Sequence, residues 1–418
     1  MAPTKPTMPT LADWRAQVDK ELAGAAFDQL VTATPEGLQL QPLYTETRVA
    51  PGLPGEPPFT RGGSAEARPF QICMRVDPVA RRRPGALAED LDGGADALWA
   101  ERDDAEAIAA CRARGLPMIL GEVLERDAAP PRTGRVSSIA FHDAGADAAD
   151  ELALMLASAA TQLREQLAHG AGIDVAAATL WAQVAVGRDT FGELCKLRAL
   201  RVVWHKLLTA AGAKDSALSA LHAVCSSRTQ SQRDPWVNLL RVSTQVFAAA
   251  LGGAQLITPL PFDDALDARS AHGRRVARNT ALVLREESHL GRVIDAAGGS
   301  YYIEERTDAL AREAWARFTQ IERDGGLGAL IAGGGLRERL ARSWAAFAAR
   351  KEPVLGVSEF VNADEPLPVA GPAAPPPPPA LVPHREAEAF GTMAITTAMA
   401  TTTMATMATM ATMTEPTR

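Results

Sequence analysis

His142 is the residue whose type and setting most invite chemistry in this chain of 418 residues. It stands in VSSIAFHDAGADAADELALML, residues 136–156, where a short apolar run meets a histidine and a helical pattern begins soon after. An imidazole titrates near neutrality and can carry a proton or bond a carbonyl. In an α/β barrel the carboxyl end of a strand faces the active site, so a polar group at that junction is a catalytic candidate. Asp143 and Asp147 could orient the ring, or they could cap the helix and leave His142 a structural role. His205 and His222 lie in helical or apolar surroundings and read as core or surface residues.

Other motifs point away from chemistry. Cys73, Cys111, Cys195 and Cys225 are far apart, with no CxxC and no paired Cys/His spacing, which fits reduced thiols better than a zinc site or a disulfide framework. GGLGALIAGGG (325–335) matches neither GxGxxG nor GxxxxGK[ST] and follows a helix, so it reads as a helix end and a turn into the next. AAGGSYYIEE (296–305) reads as a tight turn into a strand. No activated nucleophile accompanies His142, which leaves a hydrolase little support.

A formal charge of -7 argues against nucleic acid or an anionic membrane as the main partner. The run Arg81-Arg82-Arg83 reads as a solvated loop. MAPTKPTMPTLADW has no apolar h-region, and the apolar stretch 246–262 is broken by Gly252, Gly253, Pro259 and Pro261. A soluble, cytoplasmic protein is the expectation.

These residues must be positioned by a regular framework. Leu11, Trp14, Val18 and Leu22 share one stripe of a helix predicted over 11–27 and capped by Thr10. Residues 34–64 are rich in Pro and Gly and are expected to run over a surface. Strands are predicted at 69–76, 96–100, 116–123 and 136–141, with a helix over 103–114. From Asp147 the pattern is mostly helical, with Leu152, Met155, Leu156, Ala159 and Leu163 on one face and strands at LHAVCSS and AQLITPLPF. Apolar strands alternating with helices point to a parallel α/β sheet or barrel. Three regions are expected: 1–64, a helix and extended arm; 65–365, the folded body; 366–418, a polyproline linker and a Thr-Met-Ala repeat taken as disordered.

RDPWVNLLRVST (233–244), GGAQLITPLPFDDAL (252–266), the stretch 277–315 and KLRALRVVW (196–204) resemble the methylmalonyl-CoA mutases. TLADWRAQVDKEL, PLYTETRVAPGLPGEPPFTRG and ARPFQICMRVD resemble the small-subunit type of the heterodimeric bacterial form. The matches are collinear over roughly residues 10–362. The resemblance implies an α/β fold of (β/α)8 TIM-barrel type, then a cobalamin domain with a DxHxxG cobalt ligand. The implied activity is the radical interconversion of methylmalonyl-CoA and succinyl-CoA, with CoA held along the barrel axis.

The implied site residues carry over unevenly. Against the catalytic RPWTIRQYAG, this chain keeps Arg68, a candidate substrate contact, and Pro69, but has Cys73 for the second Arg and Arg75 for the Tyr. Against SGYH it has IAFH, which keeps His142, the implied partner of the thioester carbonyl, and puts Phe141 at the Tyr. Against HTNALDEA it has TPLPFDDA, with Leu260 and Asp264 where an Asn and a Glu hold the adenosyl ribose. No DxHxxG occurs, so neither a cofactor-binding nor a metal-binding residue is expected. Only 67 residues separate Arg75 from His142. About thirty are used per barrel unit, so the barrel must be incomplete or close with very short connections.

The expectation is a small-subunit-type chain, not catalytic by itself, paired as a heterodimer with the catalytic large subunit. Its arm, residues 10–64, would reach across the interface. Adenosylcobalamin would belong to the complex and the CoA thioester to the partner. Two rivals stand beside it: an active mutase barrel served by a separate cobalamin-binding chain, and a truncated inactive remnant.

Overall fold

A computed structural model of the chain describes residues 9–77, 80–81, 83–100, 104–126, 129–218, 220–266, 270–362 and 381–390. A small antiparallel hairpin, β1 (Thr32–Ala33) and β2 (Gln39–Leu40), precedes the main sheet. That sheet contains β3 (Gln71–Arg75), β4 (Ala97–Ala100), β5 (Met118–Leu120), β6 (Val123–Arg126), β7 (Ala129–Arg132), β8 (Gly134–Ser137), β9 (Leu180–Val186), β10 (Leu221–Cys225) and β11 (Leu256–Thr258). Its order is β7-β6-β5-β4-β3-β11-β10-β9-β8. The two ends of that order, β7 and β8, are one length of chain interrupted only at Thr133. The sheet therefore curls on itself, since this strand pairs β6 with its first half and β9 with its second. Trp181 Nε1 donates to the Glu122 carbonyl at 3.0 Å and Arg135 reaches the Glu122 carboxylate at 2.8 Å, pinning the seam.

This is a nearly closed (β/α)8-type barrel, and it answers the length question. Between β5 and β6, and between β6 and β7, two-residue links stand where helices would be. So short a link can join only antiparallel strands. Accordingly β6 runs against both neighbours, while the other strands of the barrel are parallel. Strand-helix alternation holds elsewhere, through α2 (Ala86–Asp92), α3 (Ala105–Arg112), α4 (Ile139–Asp143), α5 (Ala148–Ala168), α6 (Ile173–Thr179), α7 (Thr190–Ala210), α8 (Val237–Leu251) and α9 (Ala271–Leu282).

Side chains alternate across each strand and build two cores. Ile72, Met74, Leu98, Met118, Val136 and Val184 face the helices and join the main cluster. Cys73, Ala97, Trp99, Ile119, Leu124, Trp181, Val224 and Leu256 face the axis and pack on each other as a second. Two bulky indoles thus occupy the centre of the barrel. A polar chain completes the axis: Gln183 Nε2 donates to His222 Nδ1 at 3.1 Å, and His222 Nε2 bonds Thr258 Oγ1 at 2.8 Å. Trp99 meets the same ring edge-on, with centroids 5.5 Å apart.

Several predicted elements shift. α1 (Leu11–Glu21) has the expected Thr10 cap, closed by Asp13, but stops before Ala23 and Gly24, both left-handed. It buries none of its residues, and Leu11 is 56 % exposed. The apolar run 136–141 divides, its last residues starting α4 instead of extending β8. SYYIEE begins a helix, not a strand: α10 (Tyr301–Arg323) buries Ile303, Leu310, Ala314, Phe318 and Ile321, a helical spacing sustained for six turns. LWAQVAV, which carries no polar alternation, is β9, buried at every position. The glycine-rich stretch 325–335 leads through α11 (Gly326–Ala332) into α12 (Gly335–Arg350) as a helix end and turn. Of the expected linker and tail, only residues 381–390 are described; the rest lies outside the described residues.

The extended arm lies along this chain's own barrel. Arg317 and Arg350 donate to the Glu36 and Ala33 carbonyls, Arg201 to those of Phe59 and Thr60, and Thr47 bonds Glu305.

Burial, then the charge of Arg135, pushes the His222 pKa down to about 3. An unfolded imidazole takes up its proton near pH 6.5. The stability contributed by neutral His222 is therefore full above pH 6.5 and is lost as pH falls toward 3. A His222→Gln variant should show a flatter decline in unfolding free energy between pH 6.5 and about 4, measured by urea denaturation. Parallel declines in the two proteins would contradict this.

Candidate functional site

His142 sits on α4, one turn past the carboxyl end of β8, and is 1 % exposed. Its Nδ1 lies 2.7 Å from Glu151 Oε1, and its Nε2 lies 2.7 Å from Ser226 Oγ, just past β10. Glu151 comes from the first turn of α5, beside the buried stripe that begins at Leu152. Both of its oxygens are 3.1 Å from Lys196 Nζ on α7, and Ser138 Oγ donates to one at 3.0 Å. Lys196 also meets Glu193 at 2.7 Å. A histidine, a lysine and two acids are thus buried together at the strand ends.

Electrostatics fixes the protons. Burial pushes the Glu151 carboxyl up, but Lys196 and His142 outweigh it and hold the pKa down at about 2. Burial and the charge of Arg228 lower the His142 pKa. A neutral imidazole has one N–H, and an ionised carboxylate can only accept. Nδ1 therefore donates to Glu151, and Nε2 accepts the Ser226 hydroxyl. Neither nitrogen is left for a substrate carbonyl. The order Ser226, His142, Glu151 is that of a nucleophile, base and orienting acid. Ser226, however, is 2 % exposed, and its backbone N–H is committed to the Val186 carbonyl.

The other expected positions are also committed. Arg75, at the end of β3, bonds Asp264 at 2.6 Å, so the group at the Tyr position grips the one at the ribose-binding Glu position. Leu260 is buried in the main core and Cys73 in the axial one, where burial lifts its thiol to about 12. Arg68 is elsewhere. It precedes β3, on the barrel face opposite His142, with its side chain 78 % exposed and paired with Glu66 at 2.7 Å.

These residues do not fit a nucleoside cofactor or an axial thioester. Leu260 offers no hydrogen bond to a ribose, Asp264 is engaged by Arg75, and Trp99 and Trp181 pack together on the barrel axis. Among the described residues no group of three His, Cys, Asp or Glu could hold a metal ion. Glu151, Lys196, Ser226 and Glu193 were not foreseen as neighbours of His142. The available signal was charge inside apolar stripes, Glu151 before LALML and Lys196 within LCKLRAL.

Fold and site define an α/β barrel whose strand-end polar groups are bonded to one another. A family model described as methylmalonyl-CoA mutase matches residues 124–373. The chain is 35 % identical to a methylmalonyl-CoA mutase small subunit of Streptomyces virginiae, over 89 % of this chain and 72 % of that one. It is 34 % identical to a probable methylmalonyl-CoA mutase small subunit of Mycobacterium tuberculosis, over 83 % and 69 %. A methylmalonyl-CoA mutase small subunit of Propionibacterium freudenreichii subsp. shermanii is 38 % identical over 53 % of this chain and 35 % of its own length. The chain belongs to the methylmalonyl-CoA mutase family.

Removing one partner from a buried ion cluster leaves an uncompensated charge, at a cost of about 3–5 kcal/mol. Lys196→Met, which would set Glu151 and Glu193 against each other, should destabilise the chain by that amount in urea unfolding. A loss under about 1 kcal/mol would assign the cluster no structural role.

Proposed function

We propose that this chain is the non-catalytic subunit of a heterodimeric methylmalonyl-CoA mutase. Its partner is a catalytic large subunit that binds adenosylcobalamin and the CoA thioester and interconverts methylmalonyl-CoA and succinyl-CoA. The observation that carries this reading is the Arg75–Asp264 ion pair at 2.6 Å. Two positions that would touch cofactor or substrate are satisfied by each other, and opening them to a ligand would strand a carboxylate that is now buried. The indoles on the axis support the same reading, as do the small-subunit names of the relatives. In this reading His142 is an inherited residue that now orders the polar cluster, and Arg68 is a surface residue.

Association is assigned to the N-terminal helix. Residues 32–62 are tied to this chain's own barrel, which leaves α1 to reach a partner. Leu11, Trp14 and Val18 form an apolar stripe on α1 that its C-cap Leu22 extends; none of the four is fully buried in its own chain, and Leu11 is 56 % exposed. Such a face is completed by a second protein. Cytoplasmic residence belongs to the same proposal. It is supported by four buried cysteines outside any disulfide. Among the described residues no helix is long and apolar enough to cross a membrane.

Co-expression with a catalytic large subunit tests the proposal. The two chains should co-elute on sizing, with turnover only when the large subunit is present. Leu11→Asp combined with Trp14→Asp should weaken the complex at least about a hundredfold, since each apolar side chain is worth about 1.5–3 kcal/mol on burial. Turnover by this chain without a large subunit, or absence of a complex, would overturn the proposal.

A further inference from the structure

We propose that residues 381–390 are a strap that latches across the carboxyl ends of the barrel strands beside the His142 cluster, with Glu386 as its clasp at the edge of the neighbouring cavity. The inference does not depend on the subunit assignment. The segment follows the Pro-rich stretch and returns to the barrel as one turn of 3-10 helix, Glu386–Phe390. It touches the loops after three successive strands. The His384 N–H donates to the Asp143 carbonyl at 2.7 Å, after β8 and α4. The Glu386 carboxylate lies 2.8 Å from Arg188 Nε, after β9. After β10, the Glu386 N–H donates to the Arg228 carbonyl at 2.9 Å, and Arg385 donates to the Ser227 carbonyl at 3.0 Å. The His384 ring lies flat on Trp344, with centroids 4.5 Å apart.

Two features make this a latch and not another piece of core. Its hold is chiefly polar. Leu381 packs on the main cluster, whereas Val382 is exposed. Glu386 is nevertheless 3 % exposed, so a charge has been buried at one point where two guanidiniums meet it, Arg188 and, at 3.7 Å, Arg228. A segment held by one buried carboxylate between two guanidiniums and a few backbone bonds opens at far lower cost than the barrel unfolds.

The strap also borders a cavity of about 250 Å³, which lies between the strand-end loops and the hairpin β1–β2, walled by Glu151, Gly187, Glu193 and Arg228, and Glu386 forms part of that wall. Arg228 links the clasp to the cluster, since it donates to the His142 carbonyl at 2.6 Å. Lifting the strap would remove Glu386 from the cavity wall and uncover Arg188 and Arg228. The face at which a barrel of this class presents its chemistry is therefore crossed by the chain's own later residues.

Amide hydrogen exchange on the full chain tests the strap. In the wild type the amides of His384 and Glu386 should be protected. Glu386→Arg, which places a third guanidinium between two, should raise their exchange at least about tenfold while β9 and β10 stay protected. Glu338→Gln, at an exposed acid of α12 away from the strap, should leave protection unchanged, and Arg188→Glu combined with Glu386→Arg should restore it. If Glu386→Arg unfolds β9 and β10, Glu386→Gln decides on the same readout with a smaller rise expected. Unprotected amides at His384 and Glu386 in the wild type, or protection unaltered by loss of the Glu386 charge, would overturn the proposal.

Discussion

A closed barrel of eight strands must fill its own axis, either with side chains or with a ligand. In this chain side chains fill it. Trp99 and Trp181 lie across the centre among Ile119, Leu124, Val224 and Leu256, and the His222 ring is bonded on both sides by Gln183 and Thr258. The short links around β6 belong to the same solution. Two-residue links leave no room for helices between those strands, and the seam is closed by Trp181 and Arg135 meeting at Glu122.

The second constraint is that buried charges must find partners within the chain. At the strand ends Arg75 has Asp264, Glu151 has Lys196 and His142, and Glu386 has Arg188. Here they neutralise one another. His142 illustrates the pairing: an imidazole with a donor bond to Glu151 and an acceptor bond to Ser226.

Much of this was legible in the sequence. The strands around Ile72, Leu98, Val224 and Ile257, and the long helix beginning at Ala148, follow from apolar period and capping. The substitutions at Arg75, Leu260 and Asp264 also stood in plain view. What did not show was direction and partnership. A run such as DALWA reads as a strand without saying that Trp99 points at the axis. LWAQVAV, with Gln183 its one polar residue, has no alternation to mark it as β9. That Arg75 would meet Asp264, 189 residues later, is a product of the closed sheet placing β3 beside β11. SYYIEE reads as a strand yet is helical, because a short alternating run precedes a much longer helical one, and the longer pattern decides.

The central claim is that this barrel has given up its ligands. Equilibrium dialysis of the isolated chain against adenosylcobalamin and against succinyl-CoA tests it most directly. The account predicts no saturable uptake of either at micromolar concentrations. One equivalent of either bound per chain, or a cobalt(II) resonance when both are present, would contradict it.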